Sequence, residues 1–488
     1  MSFGALCGVL SLWAIALRVL LIPVPPHDFW WHMAQGRVIA ATGRVPILDS
    51  FSWTRAGAPF FDQSWLAQWL FFQIHALGGI ALLIFVQAAL VVFAYALTWK
   101  MMRERAGEAD REKGARVASL ILLGVTLVSF DNWLLRPQTF VIPLFVLWLW
   151  TLEGWRRGLV SVRRLALSQV ALMILWANSH GSFPLALLLN GATLVGAALE
   201  ARLQKRTLNL RALLMASVAS AAAVTVNPRG LQVLGYVKMM LLDSSNRFSA
   251  EWLSPTPRNV GDALFFLYAL VFFLILAHSR RRPSWIDSAW AAVFFWLAVT
   301  SGRYILWFAL IAALPLASAL SQASNTSSAT PRSKLNTFIA ALMWLGLVPV
   351  LPWIKPSLGL GPPVGSLLSE ETPVRAAQVL EAMKPRRLWH NAPSGSYLIW
   401  AAPHARVWID TRFELYPPQQ WRDCARAQSG EASVLEAYGC DTALVDRQVE
   451  APLGRALEAR GWRQAFHDAR FSIWKRPEQA QVPGGLTR

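Results

Sequence analysis

The sequence predicts an all-α polytopic membrane protein of about eleven transmembrane helices, with a small C-terminal α/β domain outside the bilayer. Three observations carry that expectation. Of the 488 residues, 55% are hydrophobic and only 15% charged, and the mean hydropathy is +0.38, whereas a soluble domain carries about 25% charged residues. The apolar residues gather into runs long enough for helices, and the basic residues into short clusters between them. After the Pro/Gly-rich stretch PSLGLGPPVG the composition becomes that of an ordinary soluble domain. A formal charge of +18 would suit a nucleic-acid partner, but clustering between apolar runs is the signature of membrane loops, so no nucleic acid is expected.

The apolar runs fall near 5–24, 79–98, 117–130, 139–155, 165–178, 183–200, 211–226, 262–279, 286–301, 304–320 and 336–354. Several are shorter than the ~20 residues a span prefers, so their ends must extend into flanking turns. The first is followed by prolines rather than a small-residue cleavage site and reads as an uncleaved span. The connectors 100–116, 156–164, 202–211 and 279–283 are basic, and the positive-inside rule puts them in the cytoplasm. The N-terminus is then cytoplasmic, and both the 25–69 loop and the tail lie outside. Residues 1–358 form the membrane domain and 359–488 the outer domain. The segment 64–77 cannot cross without moving the basic 100–116 loop outside, so it is expected as an interfacial or re-entrant helix.

In the tail, TPVRAAQVLEAM reads as a helix capped by Thr372, and RLWHNA, RVWIDTR and TALVDR as strands. Helical stretches follow near 418–427 and 451–460, and WRQAF with RFSIWKR suits a terminal hairpin. Cys424 and Cys440 could form a disulfide in an extracytoplasmic domain.

The 25–69 loop concentrates the chemistry. It sets Asp28, His32, Asp49 and Asp62 among tryptophans beside a membrane anchor, where carboxylates are costly to keep. DFWWHMAQGRVIAATG reads as an amphipathic helix on the membrane surface, with Asp28, His32 and Gln35 on one face. Asp28 suits a helix N-cap or, functionally, a base acting on an acceptor hydroxyl. Asp49 suits a turn and Asp62 a cap for the following helix. Further along, Asp131, Arg136, His180, Arg229, Arg247 and Arg303 all fall on outer connections. Arginine is the residue that positive-inside bias depletes from that side, and guanidinium groups hold phosphate bidentately, so this set suggests a site for a phosphate-bearing lipid. No HExxH, CxxC, EF-hand or Walker pattern is present. Asp28 and Asp131 could share a divalent cation; no other cofactor is implied.

These residues carry a resemblance. An Asp-aromatic start to a surface helix, the turn Gly43 to Pro46, then Gly57, Pro59 and the helix entry Trp65–Leu66, resemble the GT-C superfamily of membrane glycosyltransferases. The branch most similar contains the protein O-mannosyltransferases and aminoarabinose transferases. DFWWHMAQGRVI, WANSHG, NPRG, SGRYILW and GSYLIW…VWIDTRFELY are also similar to patterns in a group of bacterial multi-span proteins. The acidic pair of the mannosyltransferases is Asp28–Phe29 here, and Asp62-Gln63-Ser64 replaces the basic residue before the helix entry. The resemblance implies a GT-C-like fold and transfer of a sugar from a polyprenyl-phosphate-linked donor to a protein or glycan acceptor, on the outer face of the bacterial inner membrane. It implies a catalytic role for Asp28 and matches Asp131 to a second outer acidic residue; His32, on the same helix face as Asp28, is the third catalytic candidate and could orient the acceptor or donor. Arg136, His180, Arg229, Arg247 and Arg303 would contact substrate, and Asp410 and Arg412 of the tail the acceptor. A lipid-linked sugar transporter and a non-catalytic envelope-assembly protein are the alternatives.

Overall fold

The structure, a computed structural model, describes residues 1–106, 111–204, 208–242, 249–320 and 333–477. A helix stands at each of the predicted apolar runs. Together with the surface helix α2 (Phe29–Thr42) and the short α9 (Gln232–Leu242), which stand outside those runs, the helices are α1 (Phe3–Leu21), α3 (Trp65–Ala106), α4 (Arg111–Ser129), α5 (Gln138–Arg156), α6 (Val162–Ser179), α7 (Pro184–Gln204), α8 (Leu210–Ala223), α10 (Val260–His278), α11 (Trp285–Thr300), α12 (Ile305–Leu320) and α13 (Lys334–Leu345). Among the described residues, six helical segments are long and apolar enough to cross a membrane: α1, α3, α4 with its following turn, α7, α10, and α12 with its preceding turn. Ser2, Ser161, Asn209, Asn259, Ser284 and Ser333 each cap a helix through a side-chain oxygen.

α3 is 42 residues long and breaks where the interfacial segment was expected to end. Gly78 and Gly79 leave helical geometry there, and Gly79 adopts φ 64°, ψ −163°, a conformation open to glycine almost alone. The arm before the break packs on α2. Gly36 makes that crossing possible, since a Cβ on it would lie 2.0 Å from the Gln68 carbonyl oxygen. Gly36→Ala is therefore expected to push α2 and α3 apart at a cost of about 1–3 kcal/mol, read as a lower melting temperature of the purified protein.

The tail folds as α14 (Val374–Met383), β1 (Leu388–Trp389), α15 (Ala392–Ala401), α16 (Pro418–Gln428), α17 (Ser433–Ala437), β2 (Thr442–Asp446), α18 (Ala451–Ala459), β3 (Arg463–His467) and β4 (Phe471–Lys475). The sheet order is β1-β2-β4-β3. β1 and β2 are parallel, and the other pairs, including the expected terminal hairpin, antiparallel. Three expectations need correction. RVWIDTR is not a sheet strand: it runs beside the 25–69 loop, where Val407 N donates to Phe51 O (3.1 Å) and Trp53 N donates to Val407 O (3.0 Å). Thr372 does not cap α14, which begins after Pro373; its hydroxyl instead donates to Val24 O (3.5 Å). Cys424 and Cys440 are buried free thiols rather than a disulfide. The tail is also tied back to the end of α1, where Val24 bridges Leu368; just ahead of the tail, the buried Lys355 Nζ donates to Leu20 O (2.8 Å).

Candidate functional site

A cavity of about 590 Å³ opens between the end of the helical bundle, the 25–69 loop and the tail domain. Asp28, His32 and Asp62 reach it from the loop, Arg136, His180, Glu251 and Arg303 from turns of the bundle, and Thr411, Phe413, Glu414 and Gln428 from the tail. Residues far apart in sequence meet here because α2 lies across the first arm of α3 and the tail closes over both.

Asp28 precedes α2 but makes no capping hydrogen bond. Among the described residues its carboxylate has one partner, Arg136 Nε at 3.8 Å, and its side chain is 27% exposed, open to the cavity. Arg136 also donates to Glu251. Burial opposes charge on Arg136, but Asp28 and Glu251 overcome it and hold the guanidinium charged above its usual range. Burial likewise opposes charge on Glu251, and Arg136 and Arg303 reverse that effect, keeping its carboxyl below the usual range. Arg303 stacks over the Trp252 ring at 4.1 Å. Two guanidinium groups thus face a cavity with only partial neutralisation.

Behind Asp28 lies a buried polar cluster. Gln68 Nε2, on the first arm of α3, donates to Asp62 Oδ1 (2.6 Å) and to His32 Nδ1 (3.0 Å). Burial raises the Asp62 carboxyl to about 6, against the opposing pull of Gln68, Gln35, Arg412 and Arg229. Asp62 Oδ2 has no hydrogen-bond partner among the described residues. Burial pushes His32 well below the usual imidazole range, assisted by His180, Arg136 and Arg412. It takes His180 to about 3, assisted by Arg303 and Arg136. Both imidazoles are neutral at physiological pH.

The structure gathers Asp28, His32, Arg136, His180 and Arg303 at the cavity but leaves other candidates outside it. Asp131 is exposed in the 3₁₀ turn Phe130–Asn132, lies against Gly261 and has Arg18 as its neighbouring charge. Asp28 faces an arginine rather than a second carboxylate, so the two do not form a cation site. No cluster of three metal-ligating side chains occurs among the described residues either. Arg229 packs over Phe61 (5.3 Å) and donates to Pro46 O (3.4 Å), shaping the loop rather than lining the cavity. Arg247 lies outside the described residues.

Asp410 and Arg412 are also corrected. Both are fully buried in a network in which Arg412 bridges Asp410 (2.7 Å) and Asp49 (2.8 Å), and the Tyr416 hydroxyl donates to Asp410 (2.6 Å). A guanidinium spent on two buried carboxylates bolts the tail to the loop and cannot meet an acceptor. Asp49 also makes the expected turn, accepting from Phe51 N, Ser52 N and the Ser52 hydroxyl. Asp62 does not cap the following helix, as its position suggests, but accepts from Gln68. A carboxylate ahead of a helix looks like a cap, and the contrary signal was Gln68 six residues on, a polar side chain on an apolar arm.

At the level of sequence, no protein-family model and no curated protein matches the chain. Solved structures do. The apo oligosaccharyltransferase of Archaeoglobus fulgidus superposes with a TM-score of 0.54 at 13% identity, covering 92% of this chain and 72% of that one. The same enzyme tethered to an acceptor peptide gives 0.51, again at 13% identity, with 92% and 71% coverage. The chain shares the fold of that oligosaccharyltransferase. ArnT of Cupriavidus metallidurans bound to undecaprenyl phosphate aligns over 96% of both chains at 15% identity, with a TM-score of 0.48.

Proposed function

We propose that this GT-C-fold protein is a membrane glycosyltransferase that moves a sugar from a polyprenyl-phosphate-linked donor to a peptide or glycan acceptor on the outer face of the bacterial inner membrane. The observation that carries the reading is the open carboxylate of Asp28 beside Arg136, in a cavity walled by both the bundle and the tail domain. Asp28 takes the proton of the acceptor hydroxyl as the oxygen bonds to the anomeric carbon. The anomeric C–O bond to phosphate breaks, and its electron pair leaves on the lipid phosphate. Arg136 and Arg303 stabilise the charge that develops there. Attack from the face opposite the phosphate inverts the anomeric centre. A transporter places charged or broken helices near mid-membrane. The buried Arg105, Glu153, Arg156 and Asp287 at the opposite end of the bundle instead neutralise one another, which favours a one-sided enzyme.

Deleting the chain is expected to make its lipid-linked sugar donor accumulate, and restoring it to clear the donor, as read by mass spectrometry of extracted lipids. A deletion strain with an unchanged lipid-linked sugar profile would count against the reading. The cluster behind Asp28 adds a pH dependence. His32 on α2, Gln35, Gln68, Arg229, Arg412 and Tyr236 on α9 face Asp62. Because its pKa is raised to about 6, Asp62 is ionised above that pH and takes up a proton as the pH falls through it. Sugar transfer is expected to decline across that window, and Asp62→Asn to remove the inflection from the pH profile.

A further inference from the structure

His32 and His180 approach the cavity from different elements, yet each has its Nδ1 occupied in the same way. At His180, the backbone N–H of Ser182 donates to Nδ1 (3.1 Å), and a backbone amide can only donate. The Ser182 hydroxyl lies 2.8 Å from the same nitrogen while accepting from Trp176 Nε1 (3.1 Å), so its own proton also points at Nδ1. Nδ1 of His180 therefore carries the lone pair, and the proton sits on Nε2.

At His32 the partner is the side-chain amide nitrogen of Gln68, again a donor only. Its orientation is set by Asp62: turning the amide over would place Gln68 Oε1 against Asp62 Oδ1, two acceptors at hydrogen-bond distance. An ionised Asp62 thus holds the Gln68 nitrogen toward His32 and puts the His32 proton on Nε2. Both rings line the cavity, and neither Nε2 has a partner among the described residues. Burial beside Arg136, Arg303 and Arg412 keeps both rings uncharged.

We infer that His32 and His180 are a pair of neutral hydrogen-bond donors, each locked by its Nδ1 partner in the Nε2–H form, that bind the phosphate oxygens of the lipid ligand and accept no proton from it. Gln68 and Asp62 act as positioning residues for His32, and Ser182 for His180. The phosphate assignment rests on the glycosyltransferase reading; the protonation state does not. Neutral donors suit this place because Arg136 and Arg303 already supply positive charge, and an imidazolium between them would repel both.

The test uses full-length protein with nitrogen-15-labelled histidine in lipid nanodiscs, the two resonances being assigned by their loss in His32→Gln and His180→Gln. The expected result is the neutral Nε2–H form for both rings from pH 6.5 to 8, with Gln68→Glu moving the His32 proton to Nδ1. A Gln68→Glu protein that fails to fold leaves the wild-type spectrum to decide, and finding Nδ1–H or imidazolium at either ring in that range overturns the inference.

Binding of sugar-free polyprenyl phosphate is the second measurement. His32→Ala and His180→Ala are each expected to weaken it about tenfold, with the glutamine variants, which keep an N–H near the Nε2 position, recovering part of the loss. Unchanged affinity in both alanine variants overturns the inferred role. Wild-type protein with the expected ring states but no affinity for polyprenyl phosphate would instead overturn the ligand, and with it the proposed function.

Discussion

Asp28→Asn is expected to lower sugar transfer by about 10²–10⁴-fold while leaving the amount and fold of the protein unchanged. Asparagine keeps the shape of the side chain and removes its charge and its capacity to take a proton. The structural cost is small because Asp28 makes no capping bond to α2, so the ~1 kcal/mol usually lost with an N-cap is not at stake. Arg136 keeps Glu251 as a partner and remains charged. The measurement is transfer of labelled sugar from extracted donor lipid by purified variant and wild type at equal concentration. Retained activity would remove Asp28 from the mechanism and return the search to Asp62, the other loop carboxylate at the cavity.

Arg412→Met is expected to cost about 3–5 kcal/mol, the usual consequence of leaving buried carboxylates without their cation. Asp49 and Asp410 are both buried, and their shared partner is the Arg412 guanidinium. That guanidinium also lies near the rings of Trp31, Phe51 and Phe60, at 5.8, 5.4 and 5.0 Å. Loss of the bolt should release the tail domain from the 25–69 loop and open one wall of the cavity. Limited proteolysis should then cut between bundle and tail, and the melting temperature should fall. Arg412→Lys should fail nearly as badly, since a single ammonium cannot bridge two carboxylates in the geometry of a planar fork. A variant as resistant to protease as the wild type would show that other contacts hold the tail in place.

Local patterning made much of the fold legible. Apolar runs act through neighbours in the chain, and helices stand where they indicate. The terminal hairpin was readable for the same reason. RVWIDTR looks like a sheet strand because β-branched and aromatic residues favour any extended, buried backbone. Only the tertiary arrangement lays it against Phe51 and Trp53 instead of in the sheet.

The site divides along the same line. Sequence alone selected the 25–69 loop, Asp28 within it, and Arg136, His180 and Arg303 as groups on the same side of the membrane, because charge placement and a family resemblance are properties of order along the chain. Whether a charged group meets a ligand or another side chain depends on what packs against it. Tertiary structure alone decided that Arg412 and Asp410 neutralise each other beside Asp49, that Asp131 stays at the surface, and that Asp62 meets Gln68 and His32 in a buried cluster. Desolvation and partner distance fix the state of an ionisable group, and neither quantity exists until the chain has folded.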